Sequence, residues 1–373
     1  MKKRFGLKSI VLTAALSVFV TLGAVALAAW LLLGPSGLAV ATGAAYINAF
    51  FVGEYDEDAV ADTALNAMVE SLGDRWSYYM DADSYAASRL RRANEYVGIG
   101  ITATYEEDGM HIQTVMAGSP AEQAGLCPGE IIVAVDGQDL TGENALQGAD
   151  LIRGEENTQV VLTVRGADGS VREVAVMRGR LQSDPVTAEL TDEKIGYVAL
   201  ANFYSGSAEH VINAVDSLLE QGAVGLVFDM RDNPGGYLEE LTELLDYLLP
   251  EGNIYQSGTE SGPRKAVRSD ADCVDMPMVV LVNENTYSAA ELFAAQLRES
   301  LGTPIVGQPT FGKGYSQQTF WLPGDRALNI STKTYYTGAG ESLIGVGIVP
   351  DEVVERTETG DAQLEAAIDI LIR

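Results

Sequence analysis

The run Met278-Val279-Val280-Leu281-Val282-Asn283-Glu284-Asn285-Thr286-Tyr287-Ser288-Ala289-Ala290-Glu291 passes from five consecutive apolar residues, through a polar turn, to a serine that opens a helical pattern. An apolar run this short predicts a strand, and Ala289 to Ser300 predicts the helix that follows it. Working outward, the alternation repeats: strand Ile195 to Leu200, helix Ala208 to Gln221, strand Gly225 to Met230, helix Tyr237 to Leu249. From about Leu181 onward the chain therefore reads as an α/β core, a layered mixed sheet with helices. Between Tyr96 and about Arg180 the texture is instead β-rich. Runs at Ile99 to Thr104, His111 to Val115, Ile131 to Val135, Val160 to Arg165 and Val171 to Met177 predict strands, the last two joined by the turn Gly166-Ala167-Asp168-Gly169. Ahead of them, from Ala39 to about Ala87, apolar residues such as Ala59, Leu65, Met68, Val69 and Leu72 recur at helical spacing. The expected divisions are 1–34, 35–92, 93–180 and 181–373.

The 373 residues suffice for two or three domains with a sizeable core. Lys and Arg number 24 against 53 Asp and Glu, a net charge of −29. Such a chain is repelled by phosphate backbones and by anionic lipid, which argues against a nucleic-acid partner and leaves only a hydrophobic tie to membranes. The two cysteines, Cys127 and Cys273, have no disulfide or zinc spacing, and the burial habit of Cys predicts two buried free thiols. With only His111 and His210 and no metal-binding motif, neither a metal nor another cofactor is expected.

Ile10 to Leu33 contains no charged residue and is long enough to cross a bilayer as one helix. Lys2, Lys3, Arg4 and Lys8 precede it, so the positive-inside rule keeps that tip cytoplasmic and exports the rest: a single-pass cell-membrane protein with its bulk extracytoplasmic. The competing reading is a cleaved signal peptide, for which Ala24-Val25-Ala26 and Ala26-Leu27-Ala28 offer cleavage sites. Gly34-Pro35-Ser36-Gly37 is expected to break the helix.

With histidine scarce, a hydrolase needs another base, and a desolvated lysine can serve. Lys194 and Lys265 sit in polar turns, and Lys333 lies in the strand-like Asn329 to Tyr336. Lys313, in Thr310-Phe311-Gly312-Lys313-Gly314-Tyr315, has glycines beside it for close approach and aromatics to exclude water, and is the best candidate base. Ser288, at a strand-to-helix turn, is the candidate nucleophile. An ordinary reading stands beside this one: Ser288-Ala289-Ala290-Glu291 is also a capping box, which by itself explains both Ser288 and Glu291.

Two resemblances sharpen these readings. Tyr96-Val97-Gly98-Ile99-Gly100-Ile101, Gly118-Ser119-Pro120-Ala121, Ala124-Gly125-Leu126, Pro128-Gly129-Glu130-Ile131-Ile132 and the Asp136-Gly137 turn together resemble a PDZ domain. The resemblance implies that Gly98, Ile99, Gly100 and Ile101 bind the carboxylate of a peptide with an apolar C-terminus, which then adds as a strand. A dinucleotide loop fits less well, because Ala103 replaces the third glycine and the segment continues as strand. Arg153 ends the second PDZ helix; it is either a solvated charge favoured by the helix dipole or a regulatory contact that reports peptide occupancy to the core.

The second resemblance is to the carboxyl-terminal processing peptidases, serine proteases with a Ser-Lys dyad and an inserted PDZ domain. It covers roughly Ala59 to Val354. The segment Val282 to Glu291 resembles the family's nucleophile segment, Pro309-Thr310-Phe311-Gly312-Lys313-Gly314 its lysine motif, and Phe228-Asp229-Met230-Arg231-Asp232-Asn233-Pro234-Gly235-Gly236 its D-x-R-x-N-x-G-G signature. Leu72 to Tyr79 and Gly345 to Asp351 also find counterparts. The resemblance implies Ser288 as nucleophile, Lys313 as base, Gln317 as the amide that orients the lysine, and an oxyanion hole from the N–H of Ala289 and of Gly235 or Gly236. It also implies a homodimer paired through the helical segment. Two departures stand out. Bulky Tyr287 precedes the serine and is expected to narrow the site, and Asp232 adds a carboxylate expected to raise the lysine pKa and push the pH optimum alkaline. The rival from another class is a catalytically silent PDZ scaffold; an acyl-CoA-handling fold explains neither the PDZ nor the anchor.

Overall fold

The computed structural model describes residues 7–259, 261–357 and 359–373. The basic tip Lys2, Lys3 and Arg4 lies outside the described residues, as does the side chain of Lys8.

The chain divides into two compact units, Met1–Ser71 and Leu72–Arg373. In the first, one helix runs over Leu7–Phe50, interrupted only at Gly34 (φ 63°, ψ −178°) before Pro35. The expected break is thus a one-residue kink, after which the helix resumes. Its segment Val11–Phe50 is long and apolar enough to cross a membrane, a property a signal sequence shares. A second helix, Glu57–Glu70, is capped by Asp56, whose carboxylate accepts from the N–H groups of Asp58 and Ala59.

In the second unit the quoted strand, Met278–Val282, lies inside a six-stranded sheet of order Val186–Leu190, Ile195–Leu200, Gly225–Asp229, Met278–Val282, Ile305–Gly307, Glu352–Val353. Only the first pair is antiparallel. All five residues of Met278–Val282 are buried, and they divide by the period of two: Met278, Val280 and Val282 enter the main core with Phe203, Phe228 and Phe293, while Val279 and Leu281 pack on the opposite face under the C-terminal helix Ala362–Ile372. Helices Ser207–Glu220, Leu238–Leu248 and Ala289–Leu301 cover the main core, each through an apolar stripe such as Val211, Val215 and Leu218.

A second, antiparallel sheet was less visible in sequence. The long strand Arg326–Thr337 carries Tyr315–Leu322 along one edge, while Tyr78–Met80 and Gly252–Gly258 pair with its other edge and Lys265–Ser269 pairs with Gly252–Gly258. Helical periodicity to Ala87 is therefore interrupted: Tyr78–Met80 joins this antiparallel sheet before the helix Ala82–Arg92 forms.

The β-rich module has its own core, with Ile112, Ile132, Leu162 and Val176 among its buried residues. Its sheet runs Ile101–Glu106, Gly109–Val115, Ile131–Val135, Gln159–Arg165, Val171–Met177, which leaves Ile101–Glu106 as an edge strand. A two-stranded stalk, Glu95–Gly98 against Gly179–Gln182, carries the chain in and out. Both cysteines are exposed, correcting the expectation of buried thiols: Cys127 sits in the turn before Pro128 and Cys273 in the polar loop after Ser269–Asp270.

Candidate active site

The turn between Met278–Val282 and Ala289–Leu301 holds Ser288 at φ 64°, ψ −123°. An N-cap residue ordinarily has extended dihedrals, and positive φ is costly for any residue with a Cβ. The capping box is half of the account: the Ser288 N–H donates to Glu291 Oε2 at 2.9 Å, as the motif predicts. Strain of this kind is the mark of a sharply presented side chain, which a cap alone does not require.

Glu291 does more than close the cap. Fully buried, it accepts at Oε1 from Thr310 Oγ1 (2.5 Å) and the Gly312 N–H (2.7 Å), and at Oε2 from the Lys313 N–H (2.9 Å) as well as Ser288. One carboxylate thus ties the serine turn to the lysine loop. Burial raises its pKa, against which these hydrogen bonds act. Sequence reasoning placed Glu291 in the capping box and in the nucleophile-like segment and gave it no bond to the lysine loop.

The lysine loop also needs Gly312, at φ 88°: a Cβ there would stand 2.9 to 3.1 Å from the backbone nitrogens of Gly345, Val346 and Gly347. Lys313 Nζ lies 4.4 Å from the Trp76 ring centroid and 5.9 Å from that of Tyr287, while Phe311 packs on both rings. Among the described residues the amine has no hydrogen-bond or ion-pair partner. Desolvation, helped by the charge of Arg92 and opposed by Asp74 and Glu291, lowers its pKa to about 8. Asp232 is not among its neighbours, a correction to the expectation above; that carboxylate accepts from Asn283 and Asn285 and pairs with Arg356. Tyr287 belongs to the aromatic wall of the lysine.

A cleft of about 780 Å³ is lined by Ser288, Lys313, Gln317 and Gly236 together. Gln317 does not hold the lysine: its amide donates to Tyr315 O and Ser331 Oγ, both at 3.0 Å. Of the two glycines that are candidates for the oxyanion hole, Gly235 has spent its N–H on Asn233 Oδ1 at 2.8 Å. It is glycine for another reason. At φ 80°, a Cβ on it would come within 2.8 Å of Ser288 Cβ, the Ala289 nitrogen and Tyr287 O. The N–H groups of Gly236 and Ala289 have no acceptor among the described residues, and Ala289 opens the helix.

The remaining signature residues lie behind the site. Asp229 pairs with Arg231, whose guanidinium makes two further bonds to Asp361 at 2.8 and 2.7 Å, clamping the C-terminal helix to the sheet. In the β-rich module, the carbonyls of Ile99 and Gly100 accept from Ala121 and Met116, whereas the N–H groups of Ile99 and Gly100 have no acceptor among the described residues. Gly98 ends the stalk strand and Ile101 begins the edge strand. Arg153 is exposed and pairs with Asp150 at 3.3 Å. Glu106, Asp108 and His111 come together on the module surface, where Asp108 bonds to His111 at 2.6 Å and also pairs with Arg165.

Against known proteins, the profile of Peptidase family S41 matches residues 194–354 and that of the PDZ domain residues 111–166. The carboxyl-terminal-processing protease of Synechocystis is 33% identical over 325 residues, covering 83% of this chain and 76% of that protein. This chain is a member of the carboxyl-terminal processing protease family. A second member of this serine peptidase family, the carboxy-terminal processing protease CtpA of Bacillus subtilis, is 32% identical over 302 residues, 80% of this chain and 65% of that one. Among solved structures, a photosystem II D1 C-terminal processing protease matches with a TM-score of 0.51 at 28% identity, covering 88% of this chain and 89% of the other. The processing-protease fold, an S41 core with a PDZ domain, is thus the fold of this chain.

Proposed function

We propose that this protein is a membrane-anchored, extracytoplasmic serine endopeptidase in which Ser288 is the nucleophile and Lys313 the general base. The observation that carries the reading is the Glu291 carboxylate, which braces the strained Ser288 turn and the Lys313 loop at once. Neutral Lys313 takes the Ser288 hydroxyl proton as Oγ attacks the scissile carbonyl, then returns it to the leaving amine; water repeats the sequence on the acyl-enzyme. The oxyanion falls to the N–H groups of Ala289 and Gly236, each donor contributing about 100- to 1000-fold in rate. Gln317, bonded to Tyr315 and Ser331, supports the sheet that floors the cleft.

Substrate tails with apolar C-termini are read by the PDZ domain. Free N–H groups at Ile99 and Gly100, beside the edge strand Ile101–Glu106, provide the carboxylate site and the place for an added strand. Arg153 reports occupancy: its charge acts on Tyr96, in the stalk strand next to that loop. The apolar N-terminal helix is the anchor, and the helix Glu57–Glu70 is the pairing element of a homodimer.

The test is cleavage of an unfolded protein with an apolar C-terminus by the full chain in detergent, beside Ser288→Ala and Lys313→Ala. Loss of turnover in both variants supports the dyad. The rival reading, a silent PDZ scaffold, draws on the amine resting over Trp76 without a partner; it predicts that wild type and Ser288→Ala bind the tail equally and neither cleaves it.

A further inference from the structure

The chain carries more than two acidic residues for every basic one, yet the cleft that holds Ser288 and Lys313 gathers four other cations, Arg75, Arg91, Arg92 and Lys333, against one carboxylate, Glu239. None of the four has a carboxylate partner among the described residues. The Arg92 guanidinium donates only to neutral oxygens, of Thr319, Tyr78 and Asn329. Arg75 lies against Trp76 and Phe311, 4.8 Å from each ring centroid. Arg91 and Lys333 are exposed. A second cavity of about 710 Å³ shares Arg75, Trp76 and Lys333 with the first and adds only Asp74 as an acid, a carboxylate already bonded to Ser77 and the Trp76 N–H.

Cations on the surface of an acidic protein normally find acidic neighbours. Here four are gathered in one concavity whose low-dielectric walls focus their field, and two of them are held by neutral packing that fixes the guanidinium in advance. An arrangement that leaves so much positive charge uncompensated is complementary to an anion that arrives from outside.

We propose that the cleft is a carboxylate-binding subsite for the substrate chain, filled either by the free C-terminus of a tail lying across the site or by an Asp or Glu side chain near the scissile bond. The proposal deepens the peptidase reading and rests on the cleft being where substrate lies. The subsite is separate from the PDZ loop, so the protein selects its tail twice: once by the terminal apolar residue, and once by negative charge beside Ser288.

The test uses the full chain carrying Ser288→Ala, in detergent, and three dye-labelled peptides of one apolar sequence: a free C-terminus, the same peptide amidated, and the amide with one internal Gln replaced by Glu. Anisotropy titration at low salt is expected to give about tenfold tighter binding for one or both carboxylate peptides than for the neutral amide, with the advantage shrinking at high salt. Adding Arg91→Gln with Lys333→Gln, two exposed positions, reduces the advantage to less than about threefold. Preference for the internal Glu assigns the side chain as the source; preference for the free end that the two substitutions reduce assigns the terminus. Three peptides that bind alike overturn the proposal. So does a terminal preference that the two substitutions leave untouched, since it then belongs to the PDZ loop. Turnover of the same peptides by the chain with Ser288 intact separates the two readings: absent cleavage with charge selection retained defeats the peptidase and keeps the subsite.

Discussion

Replacing Glu291 by glutamine removes one charge and converts one acceptor into a donor at the point where the serine turn and the lysine loop meet. The better of the two amide orientations leaves Oε1 facing the N–H groups of Ser288 and Lys313, and turns the NH₂ towards Thr310 Oγ1 and the Gly312 N–H. The threonine hydroxyl can rotate to accept, although it already accepts from the Ile348 N–H at 2.7 Å. The Gly312 N–H cannot, and a buried donor left without an acceptor costs about 1–3 kcal/mol. Relief of the buried carboxylate's desolvation offsets part of this, so a net loss of about 1–2 kcal/mol is expected, or about 2–6 °C in Tm for a domain of this size. The catalytic effect is larger. Donor facing donor pushes the lysine loop away from the turn, and misplacement of a reacting group by about an ångström costs about 100-fold. The assay is kcat/KM on a quenched peptide together with a thermal melt, with Glu291→Asp as the variant that keeps the charge and shortens the reach. If Glu291→Gln lowers Tm yet holds kcat/KM within about threefold of wild type, the residue is only a helix cap and the bracing argument is wrong.

Three further outcomes follow from the same geometry. Lysine acts as a base only when neutral, so kcat/KM rises about tenfold per pH unit below the Lys313 pKa and levels off above it; with that pKa lowered to about 8, the break falls near pH 8, moves up in Arg92→Gln and down in Asp74→Asn, and a profile flat down to about pH 6 refutes the assignment. Ser288→Gly, by relieving a positive φ, is expected to melt higher than Ser288→Ala by the equivalent of about 1 kcal/mol, with both variants inactive; equal melting would show that the turn is not strained. Arg231→Ala leaves Asp229 and Asp361 facing each other without their shared cation, costs about 3–5 kcal/mol, and speeds hydrogen exchange in Ala362–Ile372 before the rest of the core; uniform exchange would place the clamp elsewhere.

The centre of the six-stranded sheet was legible because Gly225–Asp229 and Met278–Val282 are buried throughout; Met278–Val282 and Ile195–Leu200 were bounded to the residue, whereas the largely exposed strands Val186–Leu190 and Glu352–Val353 and the three-residue Ile305–Gly307 were not read. The antiparallel sheet was not. Arg326–Thr337 mixes buried and half-exposed positions without clean alternation, and Tyr78–Met80 is three residues long, paired with a strand some 250 residues away. That pairing also brings Trp76 over Lys313, so of the aromatic wall Phe311 was signalled beside the lysine and Trp76 was not. The general habits of residue types failed where a turn overrode them: Cys127 and Cys273 are exposed because each lies in a loop, and loops run on the surface whatever their composition.

Backbone geometry that the letters do not carry also bears on the two readings of the serine turn, as a capping box and as a nucleophile motif. Both readings name Ser288 and Glu291, and the bond the cap requires is present, since the Glu291 carboxylate accepts from the serine N–H. A cap, however, has no use for φ 64° at Ser288, and it occupies only one of the two carboxylate oxygens. The other oxygen is held by Thr310 and Gly312, and the first is shared with Lys313, so the helix start and the lysine loop are fastened by a single buried charge. Short-range sequence patterns find such a residue for its local bond and miss its distant ones. In this chain the distant ones join the two candidate catalytic groups.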